Sequence, residues 1–289
     1  MKISVSSYSF MQYIRAGKMT QFDTVAKAHE LGFDAIEFTG IDGDTLEQQL
    51  ENAKKLKEEA ARLGMIINAY TIGANLFKET EEENREEIER IKGQLLVAKE
   101  LGAPLMRHDV CYTLTKTGNG RSFDLMLPTL AKSTREITEY AATLGIKTCS
   151  ENHGFIAQDS DRVERLFNAV NHENYGLLVD IGNFACADEN SVTAVSRVAP
   201  YAIHAHAKDF IIRKEKFGRC QLQTRGCNYI GGVAVGEGDI PVKQCLAVLQ
   251  RAGYEGFLSI EYEGCDDCID GIARGLANLK QFLGELGWE

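Results

Sequence analysis

Five times along this chain an amphipathic segment ends at Gly and a short apolar run follows at once. The junctions read Glu-Leu-Gly32-Phe-Asp-Ala-Ile, Arg-Leu-Gly64-Met-Ile-Ile, Glu-Leu-Gly102-Ala-Pro-Leu-Met, Thr-Leu-Gly145-Ile-Lys-Thr-Cys and Arg-Ala-Gly253-Tyr-Glu-Gly-Phe-Leu. Glycine just past the last helical turn adopts the left-handed cap conformation without a Cβ clash, so the chain can reverse into a strand. Repetition of this junction predicts repeated αβ units. The segments between carry one apolar stripe, as in Leu46, Leu50, Ala53, Leu56, Ala60 and Leu63, or Ile88, Ile91, Leu95, Ala98 and Leu101. Glu and Lys fill the other faces, so each helix covers something on one side only.

What they cover is read from eight apolar runs, at 3–7, 35–38, 66–69, 105–108, 147–151, 175–180, 202–206 and 257–261. These are too short for helices and too apolar for surface strands, and a helical pattern follows each. Such alternation calls for a parallel sheet covered by helices. Eight units over 289 residues allow roughly 36 residues each, the usual size of a βα unit, and right-handed crossovers then close the sheet. The expected fold is α/β, a (β/α)8 TIM barrel, as a single domain over residues 1–289. An open doubly wound sheet seldom needs eight such even units, and no G-x-G-x-x-G follows the first strand.

One stretch departs from the repeat. Residues 209–238 separate the seventh strand from a helix starting near Asp239-Ile-Pro241, and they hold Arg213, Lys214, Lys216, Arg219 and Arg225. Long structureless loops in compact domains are usually functional, so this one reads as a lid, with Arg213 and Arg225 reaching the substrate.

Charge and cysteine content narrow the function classes. Lys and Arg number 32 and Asp and Glu 42, a formal charge of −10, the wrong sign for a general nucleic-acid binder. The first 18 residues never build the apolar run of a signal peptide and no stretch approaches a membrane span, so a cytoplasmic protein without a membrane partner is expected. Eight cysteines are scattered through a chain large enough to fold without staples, which makes free thiols the expectation. Cys265-Asp-Asp-Cys268 has no second pair at zinc-site spacing and reads as the opening of the last helix.

Ionisable residues collect at the ends of the later strands, where a barrel of this type places its active site. They lie in Cys149-Ser-Glu151-Asn-His153-Gly, Leu178-Val-Asp180-Ile-Gly-Asn183, His204-Ala-His206-Ala-Lys208-Asp209 and Ser259-Ile-Glu261-Tyr-Glu263-Gly. Four successive strands ending in carboxylate or imidazole would repel one another in an empty barrel, whereas one divalent cation on Glu151, Asp180, His206 and Glu261 satisfies them together. A network of strand-end salt bridges is the alternative. Three carboxylates and one imidazole make a mostly hard ligand set, pointing to Mn²⁺, with Mg²⁺, Co²⁺ or Zn²⁺ also accommodated. Alternation puts His204, His206 and Lys208 on one face, and Glu151 with His153 on another. His204 reads as a layer below His206, and His153 as nearer solvent and substrate or as a loop cap. Glu37 and His108 end the second and fourth strands and either face the same cavity or are satisfied structural residues.

At these strand ends the sequence resembles the xylose isomerase-like TIM barrel superfamily, and within it the sugar phosphate isomerase/epimerase group. The matching stretches are Ser150-Glu151-Asn-His153-Gly, Leu178-Val-Asp180-Ile-Gly-Asn183, His204-Ala-His206-Ala-Lys208-Asp209, Gly236-Glu-Gly-Asp239 and Gly253-Tyr-Glu-Gly-Phe-Leu-Ser-Ile-Glu261-Tyr-Glu. The resemblance implies a barrel, a divalent metal on the same four residues and a homo-oligomeric enzyme. Several epimerases and the repair endonucleases of this superfamily carry His where this chain has Asn183, a departure that weighs against direct transfer of their chemistry.

The chemistry expected is isomerisation or epimerisation of a sugar or keto-sugar, by proton abstraction next to a carbonyl through an enediolate. Glu151 and Glu261 are the acid/base pair, with His153 assisting. Lys208, Asn183, His108, Glu37, Arg213 and Arg225 are the expected substrate contacts. A lyase that dehydrates or eliminates across a keto-sugar, with His153 protonating the leaving group, is the nearest alternative. A non-catalytic sugar-binding barrel and a nuclease are further ones, and the fold alone does not choose among them.

Overall fold

The computed structural model describes residues 1–112 and 122–288. Eight parallel strands close into a barrel: β1 (Ile3–Ser6), β2 (Ala35–Thr39), β3 (Ile66–Ile72), β4 (Leu105–His108), β5 (Lys147–Glu151), β6 (Tyr175–Asp180), β7 (Ala202–Ala207) and β11 (Leu258–Ile260). Helices α1 (Met11–Arg15) and α2 (Asp23–Leu31) follow β1. Helices α3 (Leu46–Leu63), α4 (Glu81–Leu101), α5 (Phe123–Thr143), α6 (Ser160–Val170) and α7 (Ser191–Val198) follow β2 to β6 in turn, α8 (Val242–Arg251) precedes β11, and α9 (Cys268–Leu286) comes last. All five junction glycines have positive φ, between 70° and 85°, as the reversal from helix to strand demands. Thr45 and Thr80 open α3 and α4 with capping boxes, closed by Gln48 and Glu83.

The apolar stripes point inward along most of their length, although Leu46 at the start of α3 is exposed and Leu50 and Leu63 are only partly buried. Ala53, Leu56 and Ala60 of α3 and Ile88, Ile91, Leu95, Ala98 and Leu101 of α4 are buried in one continuous shell between barrel and helices. A second, separate group, Ala69, Leu105, Cys149 and Leu178 with Ile203 packed against it, comes from the barrel strands alone. Among the described residues no helix is long and apolar enough to cross a membrane.

Residues 209–238, expected as a loop, build a three-stranded antiparallel sheet of β8 (Asp209–Arg213), β9 (Gln221–Gln223) and β10 (Tyr229–Val233), in the order β8-β10-β9. Only Lys208 separates β7 from β8. The basic residues and glycines hide a strand pattern whose partners meet only when the segment doubles back, pairing Arg213 with Tyr229 and Asp209 with Val233. Three ties hold this sheet to the barrel. Gly232 bridges to Gly264 in the loop after β11, with its backbone so close that a Cβ would stand 2.6 Å from the Glu263 carbonyl carbon.

The second tie is a disulfide between Cys220 and Cys265, which corrects the expectation of free thiols for that pair. The two are 45 residues apart in sequence and meet only because the sheet folds back onto the β11 loop. Cys149, Cys186, Cys245 and Cys268 are buried and unbridged.

The third tie is the Asp209 carboxylate. Its Oδ2 accepts from the N–H groups of Gly236 and Gly238, both at 2.9 Å, and its Oδ1 from Phe210 at 2.8 Å and Ile240 at 3.2 Å. Gly238 is required because a Cβ there would lie 2.2 Å from Asp209 Oδ1. Asp209→Asn would turn one side of this carboxylate into a donor facing backbone donors in a buried site. We expect a loss of about 2–4 kcal/mol, the scale of leaving buried N–H groups without acceptors. Urea denaturation measures it, and an unchanged midpoint at unchanged slope would show that the carboxylate anchors nothing.

Candidate functional site

The ends of β5, β6 and β7 and the residue after β11 bring Glu151, Asp180, His206 and Glu261 together. Each offers one ligand atom, and these atoms all lie within 4.8 Å of one another. All four residues are buried. Local hydrogen bonds aim them. Asp180 Oδ1 accepts from the N–H groups of Gly182 at 2.8 Å and Asn183 at 3.0 Å in the turn after β6, leaving Oδ2 turned to the cavity. Asn152 pins the strand ends by donating to the Asp180 carbonyl and accepting from its N–H, both at 2.9 Å.

His206 Nδ1 points at the three carboxylates, 3.6 Å from Glu261, 3.7 Å from Asp180 and 3.9 Å from Glu151. Among the described residues Asp180 Oδ2 and His206 Nδ1 make no hydrogen bond although both are buried. Buried polar atoms are rarely left so, and two of them converging within a cluster of anions fit a divalent cation in both charge and donor type.

Lys208 reaches into the same space. Its Nζ forms an ion pair with Glu261 and lies 3.3 Å from Asp180 Oδ2 and 3.5 Å from Glu263. Burial opposes its charge, but Asp180 and Glu261 outweigh that and hold the ammonium well above its ordinary pKa. Burial likewise opposes ionisation of Glu261, and Lys208 holds its carboxyl well below the usual range. For Glu263, burial prevails and pushes the carboxyl up. His206 is buried against its charge, yet Glu37 and Glu261 hold it well above its ordinary value.

Asn183 sits within the cluster. Its Nδ2 donates to Glu151 Oε1 at 2.8 Å and its Oδ1 accepts from Lys208 Nζ at 3.3 Å. The other Glu151 oxygen takes Arg107, whose Nε donates at 2.6 Å and whose Nη2 forms a second, shorter contact. Arg107, Asp109 and Asn152 do not stand out in the sequence. Strand alternation held the signal, because an inward Arg107 turns the adjacent His108 to the other face of β4. As an imidazole at a strand end His108 is the stronger candidate in sequence, and one strand alone does not fix its facing. Its Nδ1 contacts the Asp109 carbonyl at 2.8 Å, and the structure does not bring it into the cluster.

Glu37 does enter the barrel interior, bonded to His204 and His206. Arg213, half exposed, pairs with Asp239 at 2.7 Å. Arg225 pairs with Asp159 at 2.7 Å and donates to the Phe155 carbonyl at 2.6 Å. The structure gathers neither arginine into the cluster.

His153 stands at the rim with its side chain 44% exposed, its Nδ1 3.0 Å from Asp109 Oδ1. The Asp109 carboxylate pushes its pKa up to about 9 from an ordinary 6.5. A raised folded-state pKa means that this pair's contribution to stability is fully present below about 6.5 and is lost as pH rises through about 9. Solvent screening keeps that contribution small. In metal-free protein, Asp109→Asn should return the His153 titration, followed by NMR of the ring protons, toward the ordinary imidazole range. A His153 pKa unmoved by the substitution would show that Asp109 does not hold its charge.

The model of the xylose isomerase-like TIM barrel family matches residues 25–282. An inosose dehydratase of Clostridium perfringens is 27% identical over 142 residues, 47% of this chain and 46% of that protein. The chain thus spans about half the length of the curated relatives it matches. Among solved structures, that of the IOLI protein with a binding zinc atom superposes with a TM-score of 0.78 at 16% identity, covering 99% of both chains. That of an L-ribulose 3-epimerase superposes at 0.76 and 15% identity, covering 99% of this chain and 96% of that one.

Proposed function

The chain belongs to the xylose isomerase-like TIM barrel family, and from that premise we propose that it is a divalent-metal-dependent lyase acting on a keto-sugar or similar polyhydroxylated ketone. In this reading it removes the proton next to the carbonyl and expels the substituent one carbon further on. Glu151, Asp180, His206 and Glu261 would hold the ion, with Mn²⁺ favoured by the three carboxylates and Zn²⁺, Mg²⁺ and Co²⁺ accommodated. Bound there, the ion would supply Lewis-acid stabilisation of negative charge developing on the substrate oxygen.

The observation that carries the choice of elimination is the His153–Asp109 pair. Loss of a β-substituent needs a base at carbon and, separately, an acid at the leaving oxygen. His153 is kept protonated by Asp109 and is half open to solvent, which suits the acid. Glu261 suits the base. It is the most exposed of the four clustered residues, whereas Glu151 has one oxygen bound by Arg107 and the other by Asn183. Lys208 beside Glu261 would keep that carboxylate ionised before it accepts the proton. The similarity to a dehydratase over half the chain supports the same reading.

Isomerisation or epimerisation shares the first step. It is favoured by one observation, that Glu151 and Glu261 are two carboxylates on one cavity, as proton transfer to and from carbon on opposite faces requires.

Chelation should abolish activity, with Mn²⁺ restoring it, and Asp180→Ala and His206→Ala should each lose the ion. Retained metal stoichiometry in both variants would remove the ligand assignment. Turnover in deuterium oxide separates the two readings: a lyase releases water or another leaving group, whereas an isomerase returns a sugar of unchanged composition, heavier only by the deuterium taken up at carbon. His153→Gln should slow release of the leaving group by about 10²-fold, the usual scale of general-acid assistance, while exchange of the substrate carbon-bound hydrogen continues. Glu261→Gln should slow that exchange itself. If His153→Gln eliminated at the wild-type rate, the acid would have to be sought elsewhere.

A further inference from the structure

Glu37 lies on β2, three strands round the barrel from β7, yet its side chain crosses the interior to meet both inward histidines of β7. Its Oε2 is 2.5 Å from His204 Nε2 and 3.0 Å from His206 Nε2, and its Oε1 is 3.1 Å from His206 Nε2. The carboxylate is wholly buried. The imidazole of His206 therefore has two different ends: Nε2 against an anion that can only accept a hydrogen bond, and Nδ1, buried and without a hydrogen-bond partner among the described residues, facing Glu151, Asp180 and Glu261.

An acceptor-only partner at Nε2 requires the proton there, so Nδ1, facing the three carboxylates, is the nitrogen left for an incoming ion, which would displace any proton it carries. Had Glu37 been absent, either ring nitrogen could carry the proton and the ring could turn about its Cβ–Cγ bond. The geometry does not suit a substrate contact, because both Glu37 oxygens are committed to imidazole N–H groups.

We infer that Glu37 is a positioning residue that acts through His206: it fixes the ring's orientation and tautomer so that Nδ1, not Nε2, is the ligand atom. His204 in turn holds Glu37. Rows of this kind, carboxylate to imidazole to metal, typically raise metal affinity 10- to 100-fold over the unsupported imidazole. This inference rests on the reading of Glu151, Asp180, His206 and Glu261 as metal ligands.

The test uses full-length protein and Zn²⁺ as the probe. In the Zn²⁺-loaded wild type, ¹⁵N NMR should find His206 Nε2 still carrying its proton, in slow exchange with solvent, and Nδ1 bound. Competition with a chromophoric chelator should then give Zn²⁺ affinities weaker by about 10- to 100-fold for Glu37→Leu. The near-isosteric Glu37→Gln, whose single carbonyl oxygen cannot serve both histidines, should lose less. An Nε2-bound ring in the wild type, a measurement that needs no variant to fold, overturns the inference. So does Zn²⁺ affinity within twofold of wild type in both variants. A raised substrate KM at unchanged Zn²⁺ affinity would make Glu37 a substrate contact and equally overturn it. If the wild type bound no Zn²⁺ at all, the metal-centre reading would fail first and this inference with it, whereas binding unaffected by Glu37 would sink this inference alone.

Discussion

Three carboxylates and an imidazole with ligand atoms within 4.8 Å of one another set the terms for everything around them. At that spacing each pair of like charges repels by about 3–4 kcal/mol at an effective dielectric of about 20, and burial adds the cost of removing each ion from water. No single strand carries that burden. It is spread across β5, β6, β7 and the residue after β11, with the Lys208 ammonium inside the cluster and the Arg107 guanidinium at its edge. Within the cluster Asp180 Oδ2 and His206 Nδ1 make no hydrogen bond among the described residues, and both face the same cavity.

The barrel makes this arrangement rigid. Its strands contribute an apolar group of their own, Ala69, Leu105, Cys149 and Leu178, while the helices seal the outside with the larger shell. Charges held among such walls cannot relax by swinging into water, so hydrogen bonds decide which oxygen or nitrogen faces inward. Asp180 spends one oxygen on two backbone N–H groups, and Glu151 spends its oxygens on Asn183 and Arg107. His206 spends Nε2 on Glu37.

The small sheet of β8 to β10 joins this machinery through backbone rather than charge. It leaves β7 immediately after Lys208, returns along the loop that carries Glu263, and is fastened by the Asp209 carboxylate and the Cys220–Cys265 disulfide. Built this way it is part of the wall beside the site, not the structureless loop expected from its glycines and basic residues. Its arginines are spent on local carboxylates, Arg213 on Asp239 and Arg225 on Asp159.

The sequence by itself determined the repeat. Helix stripes, glycine caps and short apolar runs are local, and each follows from steric limits on φ and from the 3.6- and 2-residue periods. It also named the four residues that cluster, because ionisable groups at the ends of apolar strands stand out against their neighbours. What only the tertiary structure decided is which atoms of those residues meet, and what meets them from across the barrel. Arg107 rather than His108 faces Glu151 because the inward face of β4 is set by its pairing with β3 and β5. Glu37 reaches His204 and His206 at separations of 167 and 169 residues, and Cys220 finds Cys265 at 45. No local period encodes such contacts. They exist because a closed sheet of fixed register brings strands distant in sequence to the same interior, and burial there leaves each charge no partner but the ones the register supplies.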